Sequence, residues 1–295
     1  MRREHNRISL IFTGVVLLVV ILSGRSDSDF PWSKRPASPP PVGGPVGRVV
    51  ASSIPRPALA SVATILSPTV LPPTVSAFAA QVSDLRSGEV LFQSNASSQW
   101  SLASLTKLMT AVIALENLSD DVSYTASFRA VATEGAAGFL VAGRKYSLSE
   151  LLRSMLVFSS NDAAVVLAEA QGTDKFIDLM NEKARALKMD GTRFFDSSGL
   201  SPLNQSSAED LRKLMAYVFR NLPQIFLISR ENIQGATHPF VADPDFLGGK
   251  TGFIDESGGN LISLFNYADR PLLIIILGSK QRAEDTQILK DWFLD

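Results

Sequence analysis

The chain has 295 residues, a formal net charge of −1 and no cysteine. The absence of cysteine excludes a thiolate nucleophile and a disulfide framework, and a near-neutral chain without a basic cluster argues against nucleic acid as a partner. Of the two histidines, His5 precedes the apolar N-terminal run and His238 stands in a loop-like setting with no G-x-S-x-G elbow to pair with, which disfavours a Ser-His pair.

The N-terminal segment, residues 1–25, has the pattern of an export signal. Three arginines within the first seven residues precede an apolar run from Ile8 to Leu22, and positive charge before such a run directs export. The run is shorter than the ~20 residues that span a bilayer comfortably, but no small-residue cleavage site follows it. We therefore expect an uncleaved membrane anchor, or a secreted protein if cleavage occurs, with everything after Leu22 outside the cytoplasm.

The next segment, residues 26–75, carries eleven of the sixteen prolines. Such a composition cannot bury enough apolar surface to fold, and its prolines keep it extended. We expect an extracytoplasmic linker that ties the anchor to one folded domain, residues 76–295, which is long enough for a substantial core.

Secondary-structure patterns in the folded part predict an α+β domain. Alternation from Ala77 to Ser83 and an R-S-G turn predict a β-hairpin, and amphipathic stripes predict helices between Ser104 and about Leu222. One of these helices opens with a capping box at Ser147. Three closely spaced apolar runs between Lys250 and Leu277, joined by turns over residues 256–259 and 268–271, predict an antiparallel meander. Residues 283–294 predict a covering helix. The sheet would thus be assembled from both ends of the chain.

The string S-L-T-K at Ser104 to Lys107 offers a nucleophile and a base. Residues three apart share a helix face, so the Lys107 amine is expected close to the Ser104 hydroxyl. Serine needs a base to take its proton, and lysine serves only if burial or a second cation lowers its pKa. A helix start also places the Ser104 amide where an oxyanion would form. Taken alone, the string is a weak signal, because a two-residue pattern arises often by chance and a polar patch at a helix start is its ordinary interpretation.

The string S-S-N at Ser159 to Asn161 falls between two predicted helices. Serine and asparagine are routine helix caps. They also suit catalysis, because Ser159 can pass a proton to a leaving amine and Asn161 can hydrogen-bond the acyl side of a substrate. The two interpretations are compatible for different residues.

The string K-T-G at Lys250 to Gly252 lies on a predicted strand. A phosphate-binding loop is rejected, because that motif needs glycine where Pro244 stands and a helix where a strand is predicted. On a strand at a cleft edge, Lys250 and Thr251 offer a cation and a hydroxyl to a substrate carboxylate, and Gly252 allows close approach. Lys250 is also the candidate second cation beside Lys107.

In this order the three strings resemble the serine D-alanyl-D-alanine carboxypeptidases, which belong to the low-molecular-weight penicillin-binding proteins. Other segments share the likeness: A-S-L-T-K-L-M-T-A at 103–111, S-N-D-A-A at 160–164, D-S-S-G-L at 196–200 and G-G-K-T-G-F at 248–253. The resemblance extends from about Ala77 to the C-terminus. It implies a β-lactamase/transpeptidase-like fold, with a five-stranded antiparallel sheet, a helical lobe and the active site between them.

The resemblance also implies the roles of the site residues. Ser104 would be acylated, Lys107 would be its base, and Ser159 would transfer protons. Substrate would be held by Asn161, Lys250, Thr251 and Gly252, and the oxyanion by the amides of Ser104 and Phe253. The substrate would be a peptidoglycan stem peptide ending in D-Ala-D-Ala, β-lactam antibiotics would be covalent inhibitors, and no metal or cofactor would be needed.

Alternatives remain at this point. A DD-endopeptidase or a transpeptidase would use the same residues and differ only in the amine or water that reaches the acyl-enzyme. A non-catalytic binder of cell-wall peptides would keep the fold, whereas a class A β-lactamase is disfavoured because no E-x-x-L-N string is present. The sequence departs from many relatives at Ser160, at Phe253 and in a short stretch from Ile228 to Gly248, which leaves substrate preference open.

Overall fold

A computed structural model describes residues 73–135 and 140–293 of the chain. The predicted anchor, residues 1–25, and all but the last three residues of the predicted linker, residues 26–75, lie outside these ranges. No helix within them has the length and apolar character needed to cross a bilayer.

Nine strands and eight α-helices make up the described ranges. The strands are β1 (Ala79–Asp84), β2 (Val90–Ser94), β3 (Trp100–Ser101), β4 (Tyr124–Thr125), β5 (Lys145–Tyr146), β6 (Gln205–Ser206), β7 (Phe246–Ile254), β8 (Gly258–Tyr267) and β9 (Arg270–Ser279). The helices are α1 (Thr106–Asn117), α2 (Phe128–Val131), α3 (Leu148–Val157), α4 (Asn161–Glu169), α5 (Thr173–Ala186), α6 (Ala208–Asn221), α7 (Gln224–Ser229) and α8 (Arg282–Trp292).

The central sheet joins both ends of the folded part. Its five strands run in the order β2-β1-β9-β8-β7 and every neighbouring pair is antiparallel. The link between the ends is the β1–β9 pair, in register from Ala79 opposite Leu277 to Asp84 opposite Leu272. The predicted hairpin, the meander and the α+β class are therefore confirmed.

Both faces of this sheet are covered, as the apolar run along β9 requires. Ile274 and Ile276 belong to a core cluster that also contains Leu289 of α8, so the predicted C-terminal helix does cover one face. The intervening Leu273, Ile275 and Leu277 are equally buried, and α6 packs against β1 and β9. A strand buried on both faces reads as a continuous apolar run rather than an alternation.

The helical lobe is built around α1, whose first nine residues are all buried. The predicted capping box is present at the start of α3: the Ser147 hydroxyl accepts from the Glu150 amide, and the Glu150 carboxylate accepts from the Ser147 amide. Charged residues are largely absent from the buried face of α1, with Lys107 as the exception. A buried lysine at the centre of a lobe requires specific partners.

Two local details differ from the sequence expectations. Ser104 does not lie in an α-helix but in a 3-10 turn, Ala103–Leu105, immediately before α1. The turn predicted over residues 256–259 is shorter, because Gly258 and Gly259 already pair in the sheet. The two-residue ladders β3–β6 and β4–β5 were not predicted, since two residues are too few to show a period.

Candidate active site

The three strings meet at one pocket of about 320 Å³. The first comes from the 3-10 turn and α1, the second from the junction of α3 and α4, and the third from β7. The predicted residues that line the pocket are Ser104, Ser159, Asn161, Thr251, Gly252 and Phe253. Lys107 and Lys250 lie behind them, both almost completely buried.

The Lys107 amine makes three short contacts. Its Nζ lies 2.8 Å from the Ser104 hydroxyl, 2.7 Å from Asn161 Oδ1 and 2.6 Å from the Ser198 carbonyl oxygen. The Asn161 amide is oriented by its other end, because Nδ2 donates to the Glu134 carbonyl at 2.7 Å. Asn161 Oδ1 and the Ser198 carbonyl can only accept a hydrogen bond, whereas the hydroxyl can also donate.

This arrangement determines where a neutral Lys107 directs its lone pair. An uncharged amine has two N–H bonds, and both are taken by the two obligate acceptors, Asn161 Oδ1 and the Ser198 carbonyl. The lone pair is then left facing the Ser104 hydroxyl, the only one of the three partners with a proton to give. The geometry therefore suits proton transfer from Ser104 to Lys107.

The electrostatic environment favours the neutral lysine. Burial lowers the pKa of Lys107 to about 7, although the Asp196 and Asp162 carboxylates oppose the shift. Desolvation penalises the charged form of a buried amine. Of the two causes that the sequence suggested for a lowered lysine pKa, burial and a second cation, burial therefore acts on Lys107. A base whose pKa lies near neutrality is matched to general base catalysis.

Lys250 contacts the S-S-N string through the hydroxyl of Ser159. Lys250 Nζ lies 2.8 Å from the Ser159 hydroxyl and 3.0 Å from the Thr251 carbonyl oxygen. Burial lowers the pKa of Lys250 well below its usual range, with repulsion from Lys107 and Arg282 adding to the shift. Because the two buried lysines repel each other, protonation of one opposes protonation of the other.

Ser159 is held in an unusual backbone conformation. Its φ of 63° lies in the left-handed region, which is rare for residues other than glycine and clusters at functional sites. The residue sits between the end of α3 and Ser160, whose hydroxyl caps α4 by accepting from the Ala163 amide. In this string the cap is Ser160, which leaves Ser159 turned toward Lys250.

Gly252 lies against the backbone that carries Ser104. A Cβ on this residue would stand 2.8 Å from the Leu102 carbonyl oxygen, 3.2 Å from the Leu105 nitrogen and 3.3 Å from the Ser104 nitrogen. The close approach is therefore to the 3-10 turn. It brings the strand that continues into Phe253 beside the Ser104 amide, and the Phe253 side chain itself is 60% exposed.

Six further residues line the pocket without having been predicted as site residues: Gly135, Gly199, Leu200, Thr237, Ile254 and Arg282. Arg282, at the start of α8, lines the pocket and donates to the Gly252 carbonyl oxygen at 2.5 Å. Thr237 lines it next to Thr251, with the two hydroxyls 3.3 Å apart, and Leu200 forms part of the wall. Leu200 belongs to the D-S-S-G-L segment that shares the family likeness, but no role was predicted for it. Arg282 and Thr237 belong to no such segment, so only the fold brings them to the site.

His238 is not among the residues that line this pocket. Its Nδ1 accepts from the Phe240 amide, its Nε2 faces the Ile262 carbonyl oxygen at 3.0 Å, and its ring stacks on Phe246. Burial lowers the pKa of His238 to about 3. The histidine is thus a neutral core residue, in agreement with the preference for a lysine base.

Comparison with known proteins identifies relatives of the whole folded part. The family profile Peptidase_S11, D-alanyl-D-alanine carboxypeptidase, matches residues 67–281. The chain is 40% identical over 177 residues to a D-alanyl-D-alanine endopeptidase of Haemophilus influenzae, covering 55% of this chain and 61% of that protein. It is 31% identical over 264 residues to the D-alanyl-D-alanine carboxypeptidase DacD of Salmonella typhimurium, covering 80% and 67%.

A solved structure gives the same result for the fold. The D-alanyl-D-alanine carboxypeptidase of Mycobacterium tuberculosis superposes with a TM-score of 0.70 at 27% identity, covering 76% of this chain and 93% of that one. The chain spans about two thirds or less of the length of the two curated relatives. The likeness inferred from the three strings is therefore confirmed at the level of family and fold.

Proposed function

The chain belongs to the D-alanyl-D-alanine carboxypeptidase family, and we propose that it is a serine DD-peptidase that forms an acyl-enzyme on Ser104. The observation that carries the proposal is the 2.8 Å contact between Ser104 Oγ and Lys107 Nζ. Because the other two partners of Lys107 are obligate acceptors, the neutral amine is directed at the hydroxyl. This is the pairing that an activated serine requires.

In the proposed reaction, Ser104 Oγ attacks the carbonyl carbon between the two D-alanine residues of a stem peptide. The hydroxyl proton passes to Lys107 as the C–O bond forms. The backbone amides of Ser104 and Phe253 hold the oxyanion. The C–N bond then breaks, and the departing D-alanine amine receives a proton through Ser159, which contacts Lys250 at 2.8 Å. Water then attacks the ester carbonyl carbon, and its proton passes to Ser159 to replace the one given to D-alanine. Lys107 returns its proton to Ser104 Oγ as the ester C–O bond breaks.

Substrate recognition in this proposal rests on the cations and hydroxyls around β7. The terminal carboxylate of the leaving D-alanine would be bound by Thr251 and attracted by Lys250, while Asn161 orients the acyl side and Gly252 admits the peptide beside the strand. Arg282 adds a half-buried guanidinium at the same edge of the pocket. β-Lactams, which carry a carboxylate next to a strained amide, would acylate the same serine. The residues of this site require no metal or cofactor for any step.

Carboxypeptidase action on stem peptides is the leading assignment, and endopeptidase action is the second. The second candidate is favoured by the 40% identity to the endopeptidase of Haemophilus influenzae. Both reactions cleave a bond after a D-alanine carbonyl, and they differ in whether the leaving amine is a free D-alanine or a cross-linked side chain.

The test is to incubate the full chain with a D-Ala-D-Ala pentapeptide and, separately, with cross-linked muropeptides, using Ser104→Ala as the matched control. Release of D-alanine by the wild type alone supports carboxypeptidase action. Cleavage of the cross-link without release of D-alanine from the pentapeptide would instead assign an endopeptidase, and no cleavage of either would overturn the proposal.

The location we propose is extracytoplasmic, with residues 1–25 as a membrane anchor and residues 26–75 as a proline-rich linker. The proposal follows from the arginines before the apolar run and from the eleven prolines after it. Membrane fractionation of the full chain beside a variant that begins at residue 26 tests it. Equal release of both proteins into the soluble fraction would contradict the anchor.

A further inference from the structure

A polar loop, residues 196–201, contacts Lys107 and lies against the backbone next to Ser104. The Ser198 carbonyl oxygen accepts from Lys107 Nζ at 2.6 Å. Gly199, at a φ of +88°, lies so close to the 3-10 turn that a Cβ would come within 1.9 Å of the Ala103 carbonyl oxygen. A shift of this loop would therefore move the partner of the base and the backbone next to the nucleophile.

One side chain organises the loop. The Asp196 carboxylate accepts four hydrogen bonds: Oδ1 from the Ser198 amide at 2.7 Å, the Ser198 hydroxyl at 2.9 Å and the Gly199 amide at 2.6 Å, and Oδ2 from the Ser201 amide at 2.7 Å. A carboxylate supplies two oxygens that only accept, so it can gather several amides around one point. The loop is wrapped around this residue.

The loop is also fastened to the helical lobe. Thr110 of α1 donates its hydroxyl proton to the Ser197 carbonyl oxygen at 2.6 Å, and the Ser197 hydroxyl donates to the Ala164 carbonyl oxygen of α4 at 2.9 Å. Asn204 Nδ2 donates to the Thr106 hydroxyl at 3.1 Å. Because α1 carries Lys107 and α4 begins with Asn161, the loop is held by the same two helices that present the base and its amide partner.

We propose that Asp196 is a positioning residue for Lys107. Asp196 holds the Ser198 carbonyl against the Lys107 amine and keeps a negative charge beside that amine. The inference rests on the proposed function, since it assigns Asp196 a part in preparing that base. The residue does not line the pocket and has no contact with the reacting atoms.

The charge of Asp196 determines the direction in which the pKa of Lys107 should shift when Asp196 is replaced. Two carboxylates raise the pKa of Lys107 against the effect of burial, Asp196 from the loop and Asp162 from α4, and Lys250 faces it from β7 as the opposing cation. Removing the Asp196 charge should lower the pKa of Lys107, so the amine becomes free at lower pH. Glutamate would keep the charge but displace the four hydrogen bonds, three from amides and one from the Ser198 hydroxyl.

The experiment compares the wild-type chain with Asp196→Asn, Asp196→Glu and the control Asp178→Asn, which removes an exposed carboxylate from α5. The rate of labelling by a fluorescent penicillin is measured from pH 5 to 9. We expect Asp196→Asn to label about 10- to 100-fold more slowly, as a small misplacement of a catalytic group does, with the acid limb moved to lower pH. Asp196→Glu should be slowed without that shift, and Asp178→Asn should match the wild type.

An Asp196→Asn protein with wild-type rates, or one slowed with its acid limb unmoved, would overturn the proposal. If that variant does not fold, Thr110→Val loosens the same loop from outside, and it should slow labelling without moving the limb; an unchanged rate would count against the proposal. Titration of the Lys107 ¹³Cε resonance in wild type and Asp196→Asn measures the effect of Asp196 on the pKa of Lys107 directly. It thereby separates the role of Asp196 from the proposed function, which labelling tests. A wild type that is never labelled refutes the proposed function, whereas an unshifted titration refutes the role of Asp196.

Discussion

Acylation of Ser104 should fall steeply as the pH is lowered from 8 to 6. The reaction needs Lys107 as a free amine, and its pKa is about 7 because the side chain is completely buried. A group with that pKa is about 90% neutral at pH 8 and about 10% neutral at pH 6. Since protonation removes the base, the expected loss of rate is roughly tenfold, whereas an exposed lysine would be almost fully protonated throughout.

The assay is the initial rate of labelling by a fluorescent penicillin at subsaturating concentration, read from denaturing gels at half-unit steps of pH. Tryptophan fluorescence at each pH checks that the chain remains folded. The acid limb of the pH–rate profile reports the apparent pKa of the coupled Lys107–Lys250 pair, since the charge of each lysine influences the protonation of the other. A rate that is flat between pH 6 and 8, or one that rises only above pH 9, would refute the account of a base neutralised by burial.

Three other changes test separate parts of the site. Lys107→Arg should reduce labelling to background, because arginine does not give up its proton; labelling within tenfold of the wild type would mean that another base operates. Ser159→Ala removes the hydroxyl that contacts Lys250 and should slow labelling about 100-fold, the scale of a lost proton-transfer group, and a change below threefold would exclude that role. Gly252→Ala places a Cβ 2.8 Å from the Leu102 carbonyl oxygen, at the start of the 3-10 turn. Calorimetry should therefore show a loss of about 1–3 kcal/mol in the free energy of unfolding, and labelling should be slower. If stability and labelling rate were both unchanged, the close packing would be contradicted.

The parts of the fold that sequence predicts well are those with a local period. The strands of the central sheet and the α3 capping box have repeats or fixed offsets that local patterns detect. The β1–β9 pairing joins residues almost two hundred positions apart, and it was inferred only because strands at both ends need partners. The 3-10 turn at Ser104 was missed, since a three-residue turn is too short to show a period and its packing against Gly252 on β7 is a tertiary contact.

The same distinction applies to the pocket. Ser104 and Lys107 stand three positions apart, so helical spacing predicts that their side chains share a face, and the 3-10 turn that carries Ser104 preserves this neighbourhood. The Ser198 carbonyl is a backbone group 91 residues from Lys107, and a backbone acceptor leaves no trace in residue type. Arg282 likewise reaches the site only because α8 begins where β9 ends, beside Gly252. The nucleophile and its base could therefore be predicted from the sequence, whereas the tertiary partners that orient them could not.

The central claim is that Ser104 is the residue that becomes acylated. Intact-mass measurement after incubation with benzylpenicillin tests it most directly, with peptide mapping to locate the adduct and Ser104→Ala as the control. We expect one adduct per chain on the peptide that contains Ser104, and none in the variant. A wild type without any adduct would favour a non-catalytic binder of cell-wall peptides, and an adduct retained by Ser104→Ala would place the nucleophile elsewhere.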